Sequence, residues 1–336
     1  MKIGICSFAH VHAIYYAMEL LKRPGIEIVA TDPDEQWYGP GEVRGRALAE
    51  QMGVTYVDSY DELFSWGPDA VIVTAENTQH RRITELAAAA GAHVLCEKPL
   101  ATTEADAQAM IAACEAAGVV LMTAYPVQFA PDFVNLRSFV QRGGLGRVLS
   151  ITGTNNGKIP VDRAWFTNPE LAGGGSLVDH TVHCADLIDS LLDGAQAESV
   201  RAVTNQILHA DKPQVAAETG GLVSVVYPGN LTAVIDCSWS LPDVAPNWGG
   251  LTLELVGTKG VMTIEPFAHH VGGYTAAGKA HFGYGFNCDA AMIDEFFAAI
   301  NEGRAARPDG HAGLRSLRVV LAGQQSIAAG GVRVSV

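Results

Sequence analysis

Across its first 125 residues the chain alternates short apolar runs with helical patterns, and few folds accommodate that rhythm. Strand-like runs fall at Lys2 to Cys6, Glu27 to Ala30, Thr55 to Tyr56, Ala70 to Thr74, His93 to Cys96 and Val119 to Thr123. Between them, helical spacing covers His12 to Lys22, Gly45 to Met52, His80 to Ala90 and Glu104 to Ala117. Repeated βα units predict a Rossmann-type doubly wound parallel sheet, which takes its ligands at the carboxyl ends of its strands. Ser7, Asp32, Thr74, Glu97 and Tyr125 fall there.

From about Val148 the rhythm changes to period two, as in Ser150 to Thr154, Leu231 to Trp239 and Leu251 to Val256. A helical stretch from His180 to Leu192 interrupts it, and another follows from Ala290 to Glu302. The expected architecture is α/β overall. Residues 1–124 form a dinucleotide-binding domain, and residues 125–336 form an α/β domain for substrate binding and oligomerisation on a large, mostly antiparallel open sheet. Helices cover one face of such a sheet. The other is expected to be largely apolar and to meet a second copy, giving a homodimer or homotetramer.

Composition removes several function classes. A net charge of -14 argues against a nucleic-acid partner, because affinity for phosphates depends on basic residues. Apolar stretches such as Val119 to Val127 are too short for a bilayer span. The amino terminus runs straight into a strand without a signal-like leader, so a cytoplasmic location is expected. Six cysteines at 6, 96, 114, 184, 237 and 288 have no zinc-like spacing, and they read as reduced core residues with no metal site.

Two short segments carry the chemistry. Glu97-Lys98-Pro99 closes an apolar run, and Gly173-Gly174-Gly175 precedes Asp179 and His183, which share one face of the following helix. His183 has an imidazole suited to acid/base work, Asp179 a carboxylate to orient it, and Lys98 a charge to stabilise an alkoxide. Three consecutive glycines signal close backbone approach. The first turn reads Gly4-Ile5-Cys6-Ser7-Phe8-Ala9-His10-Val11-His12, with Ser7, Ala9 and His12 where a dinucleotide fingerprint has glycines. Asp32 stands where an acidic residue would accept ribose hydroxyls and so favour NAD over NADP, with Arg44 and Arg46 downstream as candidates to compensate. Each feature also has an ordinary reading. Lys98 fits a solvated strand end, Asp179 and His183 a helix-face pair, Asp32 a turn former, His10 and His12 helix flanks, Trp239 core or substrate-wall packing, and His269, His270 and His281 a solvated loop.

Several segments in order along the chain resemble the Gfo/Idh/MocA oxidoreductase family. They are Val71-Ile72-Val73-Thr74 with Asn77 and His80, Glu97-Lys98-Pro99, Thr154-Asn155-Asn156-Gly157-Lys158, the glycine run with Asp179 and His183, Trp239, and Gly257-Thr258-Lys259-Gly260. The resemblance implies hydride transfer between NAD(P), with NAD the expected cofactor, and a secondary hydroxyl or carbonyl of a sugar, cyclitol or related polyol. It implies cofactor contacts from Ser7, Phe8, Ala9, His10, His12, Asp32, Thr74, Asn77, His80, Glu97, Lys98 and Gln128. Substrate contacts are implied for Lys98, Tyr125, Asn155, Lys158, Trp165, Asp179 and His183. The glycine-poor turn and the Pro126-Val127-Gln128-Phe129 segment depart from the family pattern. A glycosidase or epimerase that oxidises its substrate transiently stands as an alternative, and so does a non-catalytic dinucleotide-binding sensor.

Overall fold

The computed structural model describes residues 1–283 and 285–336. The elements run β1 (Lys2–Cys6), α1 (His12–Leu21), β2 (Glu27–Thr31), α2 (Gly45–Met52), β3 (Thr55–Tyr56), α3 (Tyr60–Ser65), β4 (Ala70–Val73), α4 (His80–Ala89), β5 (His93–Cys96), α5 (Glu104–Ala117) and β6 (Leu121–Thr123). After these come α6 (Pro131–Gln141), β7 (Val148–Gly157), α7 (Pro169–Ala172), α8 (Ser176–Leu191), β8 (Ser199–Asn205), β9 (Gly220–Tyr227), β10 (Leu231–Ser238), β11 (Gly249–Gly257) and β12 (Gly260–Ile264). The chain ends with β13 (His270–Thr275), β14 (Gly278–Gly283), α9 (Cys288–Glu302), α10 (Gly310–Ala328) and β15 (Val334–Ser335).

The first sheet has the order β3-β2-β1-β4-β5-β6, with every neighbouring pair parallel. Its central strands are buried on both faces, which is why β4 reads as an unbroken Ala-Val-Ile-Val run. The order reverses between β1 and β4, and the crevice that binds ligands in such sheets lies at their carboxyl ends. Helix boundaries follow local chemistry. Thr103 caps α5 by accepting the Asp106 amide at 3.1 Å, and Gly118, at φ +67°, ends it.

The second sheet has the order β12-β11-β7-β10-β9-β8-β15. It is mixed: β10 pairs with β7 in parallel, and the other pairs are antiparallel. One face is apolar, with Ile151, Ala233, Ile235, Val223, Val225, Leu253 and Leu255 buried. The opposite face is not the largely apolar surface expected from sequence. It carries Thr152, Thr154, Thr232, Thr252, Asp236 and Glu254 beside Val234 and Leu222, because alternation here sets β-branched polar residues against the core positions.

The chain divides into two compact units, and neither is a continuous stretch. One comprises Met1–Tyr125, Pro160–Gly173 and Asp289–Leu317, and the other Pro126–Ile159, Gly174–Cys288 and Arg318–Val336. The expected division at residue 124 falls at the end of the first unit's opening segment, and two later segments belong to the same unit. Segments from later in the chain return to the first unit through specific bonds: the Trp165 indole N–H donates to Ala9 O at 3.0 Å, the Asn77 amide to Ala172 O at 2.8 Å, and Arg23 pairs with Asp294.

The glycine run has a structural cause within each unit. Gly173 has φ +81° and sits against Thr102, where a Cβ would lie 2.8 Å from Cγ2. At Gly175 a Cβ would collide with the Glu218 carbonyl oxygen. That approach lets Glu218 serve the start of α8: its carboxylate accepts the Gly175 and Leu177 amides at 2.7 and 3.2 Å, and its carbonyl accepts the Ser176 amide at 2.9 Å. Consequently α8 begins at Ser176, four residues before the expected start. Gly175→Ala should cost about 1–3 kcal/mol through overpacking and lower the thermal midpoint by roughly 1–4 °C. An unchanged midpoint in a thermal melt would contradict this account of the glycine run.

Candidate functional site

Ser7 occupies the turn after β1 in a left-handed conformation, φ +76°, that ordinarily belongs to glycine. Its side chain accounts for the exception. Ser7 Oγ donates to Asp32 Oδ1 at 2.8 Å and accepts the Ala9 amide at 3.1 Å, while Thr74 Oγ1 donates to Ser7 O at 2.6 Å. The turn is further tied by the His10 amide to Thr74 O at 2.9 Å. Phe8 and Ala9 are buried within it.

Asp32, at the end of β2, is fully buried. Arg44 grips both of its carboxylate oxygens, with Nε to Oδ2 at 3.1 Å and Nη2 to Oδ1 at 3.0 Å, and the Gly45 amide donates to Oδ2 at 3.3 Å. The same guanidinium donates to Glu76 Oε1 at 2.7 Å and stacks over Tyr38 at 4.3 Å from the ring centroid. Arg44 has no exposed side-chain surface. Burial raises the Glu76 pKa against the pull of Arg44, and Glu76 Oε2 has no hydrogen-bond partner among the described residues. Two carboxylates against one guanidinium, with an acceptor left over, suit a donor such as a ribose hydroxyl. Arg44 was legible in sequence only as a candidate to compensate, and Glu76 was missed, because 32 residues separate it from Arg44.

At the end of β5, Glu97 is fully buried, and Lys98 is only 4% exposed, which rules out a solvated strand-end lysine. Glu97 accepts Tyr16 O–H at 2.7 Å and the Lys98 amide at 3.0 Å, and it lies 2.8 Å from His12 Nδ1. Burial opposes charge on Glu97, but His10, His12 and Lys98 outweigh it and hold the carboxyl well below the usual carboxylate range. Burial likewise works against charge on His12, yet Glu97 prevails and raises that imidazole's pKa. The His80 ring nitrogens face Pro99 O at 3.0 Å and Ala75 O at 3.1 Å, and burial lowers its pKa. Tyr125 shares a hydrogen bond with Ser316 at 2.9 Å. Trp165, expected at substrate, is 1% exposed in the first unit, stacked on Phe166. Its indole N–H is committed to Ala9 O.

In the second unit, Asp179 and His183 stand one turn apart on α8, both partly exposed. Asp179 Oδ2 accepts the Trp239 indole N–H at 3.0 Å and lies 3.2 Å from His180 Nε2. Trp239 is wholly buried with Ile159 and Ala217, in keeping with a core role. His180, 7% exposed, was missed in the sequence, since adjacent helix positions do not face one another in an ideal pattern. The remaining expected residues are engaged in protein contacts. The Gln128 amide donates to Asp186 at 2.7 Å, that of Asn155 to Gly250 O at 2.8 Å, and Lys158 Nζ to Asp243 O at 2.9 Å. His269 and His270 are exposed, and the His281 side chain lies outside the described residues.

Comparison with known proteins matches both parts of this architecture. A family model described as an oxidoreductase family with an NAD-binding Rossmann fold covers residues 35–125, and the Gfo/Idh/MocA C-terminal domain model covers residues 133–263. The chain belongs to the Gfo/Idh/MocA family. A 1,5-anhydro-D-fructose reductase from Ensifer adhaerens is 38% identical over 161 residues, 47% of this chain and 48% of that protein. A D-glucoside 3-dehydrogenase from Escherichia coli K12 is 34% identical over 206 residues, 60% of this chain and 56% of that protein. These alignments span about half the length of the two relatives. The fold is shared with GenD2 from gentamicin A biosynthesis, solved with NAD, at a TM-score of 0.87 and 24% identity over 100% of this chain and 96% of that one. No helix among the described residues is long and apolar enough to cross a membrane.

Proposed function

We propose that this Gfo/Idh/MocA chain is a nicotinamide-dependent dehydrogenase that oxidises a secondary hydroxyl of a sugar, cyclitol or related polyol, or reduces the corresponding carbonyl. The observation that carries the reading is the buried acceptor set at the carboxyl edge of the parallel sheet, where Asp32 and the unpartnered Glu76 Oε2 flank Arg44. The family match and relatives named for reductase and glucoside dehydrogenase activity support it. The bound nicotinamide would supply the hydride acceptor or donor. His183 takes the hydroxyl proton, Asp179 steadies the region around it from the same helix face, and Lys98 stabilises the developing alkoxide charge. NAD is preferred over NADP, because a 2'-phosphate would bring its charge beside two carboxylates and only one guanidinium.

The purified protein, assayed with NAD and NADP against a panel of sugars and cyclitols, should accumulate reduced cofactor, with the higher kcat/KM for NAD. His183→Ala and Lys98→Ala should each lower turnover by a factor of about 100 or more with the fold intact by circular dichroism. Near-normal turnover in His183→Ala rejects the acid/base role, and a higher kcat/KM with NADP rejects the cofactor choice.

We further propose that a second copy covers the Thr- and Val-bearing face of the seven-stranded sheet, as a homodimer or as a homotetramer of two such pairs. An assembly of this kind buries on the order of 2,000 Å². Light scattering coupled to size exclusion should give a dimer or tetramer mass at micromolar protein. A stable monomer contradicts the assembly.

A further inference from the structure

We propose that His10, His12 and Glu97 form a binding site for a divalent first-row metal ion of the zinc type, in the turn between β1 and α1. Their ligand atoms all lie within 4.8 Å of one another. His12 Nδ1 is 2.8 Å from Glu97 Oε1, and His10 Nε2 is 4.0 Å from Glu97 Oε2. Neighbouring ligands of a tetrahedral ion with bonds near 2.0 Å lie about 3.3 Å apart; the two imidazoles face different oxygens of Glu97, the His12 contact shorter than this separation and the His10 contact longer. Two imidazole nitrogens and one carboxylate oxygen are a donor set that favours zinc over the hard cations, and three protein ligands leave a fourth position for water or an incoming ligand.

The surroundings are those of a built site. The carboxylate is fixed from behind by Tyr16 O–H at 2.7 Å and the Lys98 amide at 3.0 Å, the kind of outer support that orients a metal ligand. Glu97 is fully buried and His10 nearly so, whereas the His12 side chain is 28% exposed and gives an ion its way in. His10 is wedged against Phe166, with ring centroids 5.1 Å apart, so its ring has little freedom to turn away. Lys98 and Asp289 both act on this cluster electrostatically, with opposite sign. One contact is surrendered: the His12 amide reaches His10 Nδ1 at a long 3.2 Å, and a metal on Nε2 moves the ring proton to Nδ1. A plain His12–Glu97 ion pair would explain the 2.8 Å contact alone, but it requires nothing of His10.

The experiment uses the full chain, stripped with a chelator and titrated with Co²⁺ and Zn²⁺ at about pH 8, above the ordinary imidazole range. Calorimetry should give one ion per chain, and the cobalt adduct should develop the visible absorption of low-coordinate Co²⁺. His12→Asn and His10→Asn should each weaken binding at least tenfold. The double variant His269→Asn/His270→Asn, at exposed positions, should bind as wild type does. Circular dichroism checks the fold of each, and His12→Asn, being partly exposed, keeps the test open if the buried His10 variant fails to fold. Substoichiometric uptake, full affinity in His12→Asn, full affinity in a folded His10→Asn, or loss of binding in the His269/His270 variant overturns the proposal. A parallel NADH titration without metal separates the outcomes: NADH binding without a metal complex removes the metal site and leaves the dehydrogenase reading standing.

Discussion

A guanidinium clasped between two carboxylates, wholly out of water, organises the carboxyl edge of the parallel sheet. Arg44 joins the end of β2, through Asp32, to the segment after β4, through Glu76, and reaches Ser7 Oγ at 3.0 Å in the turn after β1. The strands on either side of the topological switch point are thereby tied at their carboxyl ends. Removing Arg44 would strand two buried carboxylates, a loss of about 3–5 kcal/mol by analogy with other broken buried pairs. Through Ser7 the same network supports a left-handed residue where the dinucleotide fingerprint has glycine.

Much of the parallel domain was legible because its signals are local. Short continuous apolar runs alternate with helical period-3.6 patterns over short windows, so strands and helices can be told apart along the chain. Asp32 stood out because its position after the second strand has a chemical meaning. What escaped was everything built by long-range closure. The Arg44–Glu76 pair spans 32 residues and the His12–Glu97 contact 85, and no spacing rule connects them.

The glycine run illustrates a signal read correctly in kind. Three glycines indicated close backbone approach, and the neighbours turn out to be Thr102 and the backbone of Glu218 within the protein itself. The open face of the second sheet illustrates the converse. Alternation located its strands, but Thr152, Thr232 and Thr252 satisfy the β-branched preference of strands without making the face apolar.

Two readings of Asp32 compete, since its two oxygens already accept from Ser7, Arg44 and Gly45, which fills the capacity of a carboxylate. Either it is only the buried partner of Arg44, or it exchanges those donors for a ribose diol when the nucleotide binds. The most direct measurement is a fluorescence titration of NADH and NADPH against wild type, Asp32→Asn and Glu76→Gln, each checked for fold by circular dichroism. The account predicts that wild type binds NADH more tightly than NADPH, and that both variants weaken NADH at least tenfold and narrow the preference. An NADH affinity unchanged in the folded variants would contradict it and leave the cluster as a purely structural ion pair.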